Sequence, residues 1–347
     1  MDLVAVIPFM VATVLVMGCS RMKPYSKSPH YDGSDGTFRH PKGYRNDKGL
    51  LDVMGFAGAY FRREKDPAET EGFPLLDPSR QDPAVGDGPN VTWIGHSTLL
   101  FAHKGVSVLT DPMFSERASP FRFSGPKRVV AAAYTPETLP PVDLAVISHA
   151  HYDHLDLPGL KRLAVRQPNI RFVVPLGLAD YVRRAGFSDV VEIDWWRTDT
   201  RDGLAVTATP VRHWSSRTLS DRNRTLWSGF MIRFGDGFRF YFAGDTGYGE
   251  DFTETGERLG APDFAAIPIG AYEPRDFMRG SHCDPEEAVR ILLDLGARQA
   301  VAIHWGTFKL TLEPLAEPPR RLASALAKAG IAASRFRALR HGERWEL

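Results

Sequence analysis

This 347-residue chain has few cysteines, almost no net charge and no internal repeat. The two cysteines, Cys19 and Cys283, are too few for a disulfide framework. With 43 basic and 42 acidic side chains the formal net charge is +1, so no global field attracts a polyanion and we expect no nucleic-acid partner. No segment repeats at a solenoid period. At 43% hydrophobic and 24% charged residues, the composition is that of a globular protein with one large or two modest domains.

Long apolar runs are also missing, apart from one near the N-terminus, Leu3 to Gly18. Its 16 residues include Pro8 and are too few for a typical membrane-spanning helix. A short run of this kind is more typical of a signal segment. The run ends in Val16-Met17-Gly18-Cys19, which resembles a bacterial lipobox and predicts a lipid on Cys19. We therefore expect a lipoprotein anchored in the bacterial cell envelope and facing the periplasm. An uncleaved anchor, or a misplaced start codon and a cytoplasmic protein, are the alternatives.

The remainder of the chain divides at about residue 90. We interpret 1–19 as the signal-like segment and 20–89 as a tether and N-terminal extension, because 20–89 is rich in Gly, Pro, Asp, Lys and Arg around one apolar island, Leu50 to Phe61. Residues 90–347 are the predicted catalytic domain.

The predicted domain begins with a β-rich meander and continues with alternating strands and helices. Helices are expected to begin after the N-caps Asp156 and Asp284, and Gly235-Asp236-Gly237 is expected to join a hairpin. Strands in two batches, each accompanied by helices, predict an α/β protein of the α+β type in which two sheets pack face to face with helices outside.

The strongest chemical signal is the segment Ser148 to Asp156, which follows a predicted buried strand. Because side chains alternate in extended backbone, His149 and His151 leave the strand end on one side and can bind the same ion. Asp153 and His154 follow where the chain turns into a helix, so they can reach a second ion. This spacing predicts a pair of metal ions.

Three further candidates each lie just beyond an apolar run: His213, Asp245 and His304. A lone histidine at a strand end is more often a satisfied hydrogen-bonding group. Together with the first segment, however, these residues predict that several strand ends converge on one rim of the two sheets. The expected result is a hydrolytic site that contains two metal ions.

These residues resemble the metallo-β-lactamase superfamily, which implies a four-layer αββα sandwich of two mixed sheets with a dinuclear zinc site at one edge. A closer resemblance is to the N-acyl-phosphatidylethanolamine-hydrolysing phospholipase D family. The motifs that carry it are Trp93-Ile94-Gly95-His96, Leu109-Thr110-Asp111-Pro112, Gly125-Pro126-Lys127-Arg128, Asp194-Trp195-Trp196, Tyr241 to Tyr248, Ala266 to Arg275, His282 to Ala288 and Ile303 to Phe308.

The resemblance implies two zinc ions, with iron or manganese as alternative metals. By the same resemblance, the first ion is bound by His149, His151 and His213, the second by Asp153, His154 and His304, and Asp245 bridges both.

The activity that the resemblance implies is of the phospholipase D type. N-acyl-phosphatidylethanolamine-like lipids would be hydrolysed by a metal-bridging hydroxide to phosphatidic acid and an N-acylethanolamine, with Asp153 and Asp245 orienting the hydroxide. His282 matches a family position needed for activity; we expect it to contact phosphate or serve the leaving oxygen, with support of a ligand as the alternative. Asp111 is expected to hydrogen-bond a ligand histidine, with turn formation before Pro112 as the alternative.

The implied partners are a phospholipid substrate and a membrane surface; no protein partner is identified. Aromatic and apolar residues flank the motifs and are candidates for an acyl-chain trough, although core packing is the ordinary role of most of them. They are Trp195, Trp196, Trp214, Tyr272, Phe277, Met278, Trp305 and Phe308, of which we favour Tyr272, Trp305 and Phe308 as substrate-lining. The alternatives to a lipid phosphodiesterase are a lactonase or other ester or phosphoester hydrolase, and a non-catalytic metal-binding envelope protein.

Overall fold

The structure is a computed structural model that describes residues 25–46, 48–77 and 88–347. Within those ranges, no helix is both long enough and apolar enough to cross a bilayer. The signal-like segment 1–19 and the predicted lipidation site Cys19 lie outside the described residues.

The N-terminal extension folds against the rest of the chain. It contains a short hairpin of β1 (Tyr31–Asp32) and β2 (Thr37–Phe38), followed by helices α1 (Leu50–Arg62) and α2 (Ala68–Glu71). The Phe38 N–H donates to the Asn223 carbonyl at 2.7 Å, and the Tyr60 hydroxyl donates to the Lys309 carbonyl at 2.7 Å. These hydrogen bonds attach the hairpin and α1 of the extension to separate loops of the domain.

The first large sheet has seven strands in the order β16-β3-β4-β5-β6-β7-β8. Their bounds are β3 (Asn90–Gly95), β4 (Thr98–His103), β5 (Val106–Thr110), β6 (Leu144–Val146), β7 (Arg171–Pro175), β8 (Val190–Ile193) and β16 (Arg344–Glu346). Strands from β16 to β5 pair antiparallel, as the predicted meander requires, and those from β5 to β8 pair parallel.

The second sheet also has seven strands, in the order β15-β14-β13-β12-β11-β10-β9. Their bounds are β9 (Thr198–Arg201), β10 (Leu204–Thr209), β11 (Gly229–Arg233), β12 (Arg239–Phe242), β13 (Phe264–Pro268), β14 (Gln299–Ile303) and β15 (Phe336–Arg337). Like the first sheet, it combines antiparallel and parallel pairing: strands β9 to β12 pair antiparallel, and strands β12 to β15 pair parallel.

The core lies between the two sheets. Side chains alternate along a strand, so Trp93 of β3 faces the other sheet, whereas its neighbour Ile94 joins the cluster that packs under helices. Phe101 of β4 stacks on Phe240 of β12 with ring centroids 4.5 Å apart, and this contact joins the sheets directly. Both faces of each sheet are covered, which explains why most strand positions are buried.

In the described part of the chain, the layers are completed by the helices α3 (Leu157–Arg166), α4 (Ala179–Ala185), α5 (Asp251–Leu259), α6 (Arg275–Met278), α7 (Pro285–Asp294) and α8 (Glu317–Lys328). Helices α3 and α4 bury their apolar sides against the first sheet, whereas α7 and α8 pack on the second. The architecture is the predicted four-layer αββα sandwich. Two predicted caps are confirmed: the Asp156 carboxylate accepts from the Gly159 N–H, and Asp284 forms a capping box with Glu287.

Candidate metal centre

The predicted ligands come from four strand ends that meet at one edge of the sandwich. His149 follows β6, His213 follows β10, Asp245 follows β12 and His304 follows β14. The Asp245 Oδ2 atom lies 3.9 Å from His149 Nε2, 3.8 Å from His213 Nε2 and 3.1 Å from His304 Nε2. Residues separated by more than a hundred positions in the chain therefore form one buried cluster.

One group of nitrogen atoms consists of three imidazoles. His149 Nε2 lies 2.7 Å from His151 Nδ1, and His213 Nε2 lies 3.3 Å from the same atom. All three ligand atoms lie within 4.8 Å of one another, close enough to bind a single cation.

The second group combines carboxylate and imidazole. Asp153 Oδ2 lies 3.3 Å from His154 Nε2 and 3.5 Å from His304 Nε2. Asp245 stands between the groups, because its Oδ2 atom is also 3.1 Å from His154 Nε2. The seven predicted ligand positions thus form two adjacent clusters with one shared carboxylate.

Several of these polar atoms are buried and make no hydrogen bond to any of the residues that the structure describes. They include His151 Nε2, His154 Nε2, His304 Nε2 and Asp245 Oδ1. A buried polar atom that lacks a partner is costly, and the Nε2 atoms of His154 and His304 both lie 3.1 Å from Asp245 Oδ2, inside the cluster. Imidazole nitrogens and carboxylate oxygens are the donors that zinc and related divalent ions prefer, so the residues present fit a pair of such ions.

The electrostatics of the first group suit metal binding. Burial lowers the pKa of His149 well below its usual value, that of His151 to about 4 and that of His213 to about 3. All three imidazoles are therefore neutral at pH 7, which is the form that binds a metal.

The second group contains ionised carboxylates. Burial would raise the pKa values of Asp153 and Asp245, but the neighbouring His154 holds both well below their usual range. Burial would likewise lower the pKa of His154, but the carboxylates of Asp245, Asp153 and Asp111 raise it well above its usual value. The carboxylate charge of this cluster therefore attracts positive charge.

Two residues behind the cluster contact histidines that are predicted ligands. Asp111, at the end of β5, lies 2.6 Å from His154 Nδ1 and accepts hydrogen bonds from the Ser148 N–H and hydroxyl, both at 2.6 Å. The Ser281 carbonyl lies 2.9 Å from His213 Nδ1. These contacts leave the opposite ring nitrogens of His154 and His213 directed into the cluster.

His282 lies in the loop between α6 and α7, beside the two clusters. Its Nδ1 atom is 4.0 Å from Asp245 Oδ2, and its ring centroid is 5.0 Å from that of His213. This buried Nδ1 atom makes no hydrogen bond within the described part of the chain. It is therefore available to a ligand that occupies the centre.

His96 is a site residue that sequence reasoning missed. It occupies the turn between β3 and β4 with a φ of 54°, its Nε2 atom lies 2.9 Å from Asp153 Oδ2, and its ring centroid is 4.1 Å from that of His304. The signal available in the sequence was its place at the end of Trp93-Ile94-Gly95-His96, directly after the apolar run of β3.

Of the aromatic residues predicted to line a substrate trough, some lie near the metal centre and others lie inside the protein. Phe308 is buried with its ring centroid 5.2 Å from that of His96, and Trp305 stacks on Trp93 at 4.9 Å. Tyr272, predicted to line a trough, lies wholly inside the protein, and its hydroxyl donates to Glu317. Trp214 instead borders the centre, because its ring centroid is 4.4 Å from that of His151.

Of the remaining aromatic and apolar candidates, Trp195 is buried and its indole N–H donates to the Trp227 carbonyl, so it packs within the protein. Trp196 lies beneath the guanidinium of Arg258 at 4.4 Å. Phe277 stacks on Phe56 of α1 at 4.9 Å, and Met278 is buried beside it in α6.

The fold and this centre define a metal-dependent hydrolase of the metallo-β-lactamase type, and residues 107–305 match the beta-lactamase superfamily domain. The N-acyl-phosphatidylethanolamine-hydrolyzing phospholipase D 1 of Caenorhabditis elegans is 37% identical over 328 residues, which cover 89% of this chain and 92% of that relative. The chain belongs to the N-acyl-phosphatidylethanolamine-hydrolysing phospholipase D family.

One further relative and one solved structure are similar to this chain. The mitochondrial enzyme of the same name from Saccharomyces cerevisiae is 34% identical over 273 residues, which cover 74% of this chain and 58% of the relative. Among solved structures, a metallo hydrolase from the archaeon Ignicoccus hospitalis superposes with a TM-score of 0.57 at 24% identity and covers 75% of this chain and 99% of its own. The latter likeness shows the shared fold.

Proposed function

We propose that this chain is a dinuclear zinc phosphodiesterase of the phospholipase D type. Its substrates would be N-acyl-phosphatidylethanolamine-like lipids, and its products phosphatidic acid and N-acylethanolamines. The observation that carries the proposal is the placement of Asp245 between two groups of buried donor atoms, in a chain 37% identical to a relative with that activity in its name.

In this proposal, the sets of ligands are those implied by the motifs. His149, His151 and His213 would hold one ion, Asp153, His154 and His304 the other, and Asp245 both. Two such ions, when bound, supply a nucleophilic hydroxide near neutral pH and positive charge for a phosphoryl group. The protein's part is to keep the imidazoles of His149, His151 and His213 neutral and to orient ligand histidines through Ser148, Asp111 and the Ser281 carbonyl.

We assign His282 to the substrate rather than to a metal. Its buried Nδ1 atom is directed toward the space beside Asp245, and its main chain is fixed because the Arg275 guanidinium donates to the His282 carbonyl at 2.9 Å. From there the ring can contact a phosphoryl oxygen or exchange a proton with the leaving ethanolamine oxygen.

The exposed apolar face of α1, in the N-terminal extension, is suited to contact a bilayer surface. Leu51, Met54 and Phe61 of this helix are 82%, 56% and 50% exposed, which is unusual for large apolar side chains and typical of a membrane-contacting helix. The Phe56 ring stacks on Phe277 at 4.9 Å, so α1 lies next to the loop that carries His282. A lipid on Cys19 would hold this face at the membrane of the cell envelope.

The test is product analysis with metal-loaded protein. We expect vesicles that contain N-acyl-phosphatidylethanolamine to yield phosphatidic acid and N-acylethanolamine by mass spectrometry, and a lactone offered in parallel to remain intact. His151→Ala and Asp245→Asn should abolish turnover while circular dichroism shows a retained fold. Cleavage of the lactone alone would contradict the lipid assignment, whereas metal binding without turnover of either compound would favour a non-catalytic protein.

A further inference from the structure

The turn that carries His96 is held in place by its main chain. The His96 N–H donates to the Thr307 hydroxyl at 2.7 Å, and the His96 carbonyl accepts from the Trp93 indole N–H at 2.9 Å and from the His304 N–H at 3.0 Å. With a φ of 54°, His96 lies in the left-handed region, which is uncommon for a residue other than glycine. These contacts retain that conformation and fix His96 beside a predicted ligand.

The imidazole of His96 contacts the Asp153 carboxylate, with its Nε2 atom 2.9 Å from Asp153 Oδ2. An ionised carboxylate can only accept hydrogen bonds, so the proton lies on His96 Nε2. The same Asp153 oxygen lies 3.3 Å from His154 Nε2 and 3.5 Å from His304 Nε2, both of which belong to predicted ligands. His96 therefore orients the Asp153 carboxylate without being one of the seven predicted ligands.

The ring of His96 also packs on the ring of His304. Their centroids are 4.1 Å apart, and the ring of Phe308 covers His96 with centroids 5.2 Å apart. The buried Nδ1 atom of His304 makes no hydrogen bond to any residue that the structure describes. Packing on His96 thus orients the His304 imidazole, where hydrogen bonds orient other ligand histidines.

The contacts of His96 belong to one cluster of the centre. His154, the remaining histidine of the second group, contacts Asp111, whereas Ser148 and the Ser281 carbonyl contact histidines of the first group. The side chain of His96 contacts the other two members of the second group.

We propose that His96 is a positioning residue that strengthens binding of one ion of the centre, the ion held by Asp153, His154 and His304, and leaves the other ion unaffected. This inference rests on the proposed function, because it takes those three residues as ligands of one ion. Without the His96 N–H and ring, the Asp153 carboxylate and the His304 imidazole are free to rotate, and they must be ordered again when the ion binds.

The experiment measures zinc affinity of the full-length protein by competition with a chromophoric chelator, for wild type, His96→Leu and His96→Gln. In His96→Leu we expect one zinc-binding step to weaken about 10- to 100-fold and the other to keep its affinity. His96→Gln should stay close to wild type, because its amide retains an N–H donor. Leucine and glutamine are both unbranched at Cβ, so the backbone strain at position 96 is alike in the two variants.

His103→Leu is the matched control. His103 is also buried and also contacts an acidic side chain, with its Nε2 atom 2.7 Å from Asp236 Oδ2, but it ends β4 and contacts none of the predicted ligands. Both zinc affinities should be unchanged in His103→Leu.

Two unchanged zinc-binding steps in His96→Leu would overturn the inference. Equal weakening of both steps, with a lower melting temperature, would also overturn it, because that result assigns His96 to packing of the whole edge. Equal loss in His96→Gln and His96→Leu would overturn it as well, since a retained donor would then be insufficient and the imidazole itself would be a ligand.

Zinc binding requires no turnover, so it separates this inference from the proposed activity. If wild type binds two zinc ions and cleaves no N-acyl-phosphatidylethanolamine, a single weakened step in His96→Leu would support the inference while the proposed activity fails. If wild type cleaves the lipid and His96→Leu binds zinc as wild type does, only the inference fails. A wild type that binds one zinc ion per chain would overturn both the dinuclear centre and the role of His96.

Discussion

At the scale of single residues, Asp111 connects the two clusters of the centre from behind. Its carboxylate contacts Ser148 and His154, and the Ser148 hydroxyl in turn lies 2.9 Å from His149 Nδ1. One buried carboxylate therefore orients a histidine from each of the two clusters. Burial raises the pKa of Asp111, while the contacts with His154 and Ser148 oppose that rise.

We expect Asp111→Asn to weaken metal binding about 10- to 100-fold, because an amide replaces one acceptor oxygen with a donor that cannot pair with the Ser148 N–H or His154 N–H. Competition with a chromophoric chelator measures the affinity. Asp202→Asn is the matched control: Asp202 is exposed and, like Asp111, has a positive φ, 50° against 33°. Unchanged affinity in Asp111→Asn would assign Asp111 to the turn before Pro112 rather than to ligand orientation.

The residues that converge at this edge could be predicted because local signals mark them. His149 and His151 combine alternation with dense metal-binding chemistry, and His213, Asp245 and His304 each follow an apolar run that had to be a strand. His96 carries the same signal, because it directly follows the strand β3, and was nevertheless missed. It reaches Asp153 only because the turn between β3 and β4 crosses beneath the other sheet, where the His304 N–H donates to the His96 carbonyl at 3.0 Å.

At the scale of elements, the predictions of strongly apolar strands and capped helices agree with the structure, as does the predicted hairpin of β11 and β12. The edge strand β9 was missed because Thr198–Arg201 has no apolar alternation and lies largely exposed. Strand β16 was missed because it is a three-residue strand whose pairing with β3 joins opposite ends of the domain. Helix α5 contains Gly256 and several polar residues, so tertiary packing rather than local propensity defines it.

The loop that carries His282 is packed against the strand end that carries Asp245, and Gly247 is the contact point. A Cβ atom at Gly247 would lie 2.7 Å from the Arg279 carbonyl oxygen and 2.8 Å from that of Gly280. The Gly247 N–H also donates to the Arg212 carbonyl at 2.8 Å, which fixes the chain next to His213. Neither side can move without displacing a residue of the centre.

Gly247→Ala should therefore destabilise the fold by about 1 to 3 kcal/mol, the usual cost of overpacking, and lower kcat in the fraction that remains folded. Urea unfolding measures the first effect, and turnover per bound metal the second. Gly235→Ala is the control, because its Cβ would meet its nearest neighbour at an ordinary 3.5 Å. If both variants behave alike, the two segments are not as closely packed as the structure indicates.

At the scale of the whole molecule, the predicted ligands converge because the two sheets have the same pattern of strand pairing. Each sheet changes from antiparallel to parallel pairing, at β5 in the first and β12 in the second, and in each the following residues enter the centre. Asp111 follows β5, and Asp245 follows β12. Ligands commonly bind beyond the carboxyl ends of parallel strands, and here two such sets of ends face each other across the sandwich.

The N-terminal extension also packs on the domain through a charged cluster, to which it contributes the buried histidine His40. His40 Nε2 lies 3.5 Å from Asp251 Oδ1, and the same carboxylate lies 3.5 Å from Lys42 Nζ and 3.4 Å from Arg212 Nε. Burial lowers the pKa of His40 to about 4; Asp251 opposes this change, whereas Arg212, Lys42 and His30 add to it. Docking of the extension thus requires a neutral imidazole.

Protonation of His40 should consequently destabilise the folded protein in mild acid. Its folded pKa of about 4 lies below the value of 6.5 for a free histidine, so between those pH values the unfolded chain binds more protons and stability falls as pH decreases. The full loss is about 3 kcal/mol below pH 4. Urea unfolding of wild type and His40→Gln at pH 7, 6, 5 and 4 should give curves that converge toward acid, since glutamine does not titrate. Parallel curves would mean that His40 has the same pKa in the folded and unfolded protein, and a wild-type advantage that grows toward acid would mean that the protonated imidazole pairs with Asp251 in the folded state.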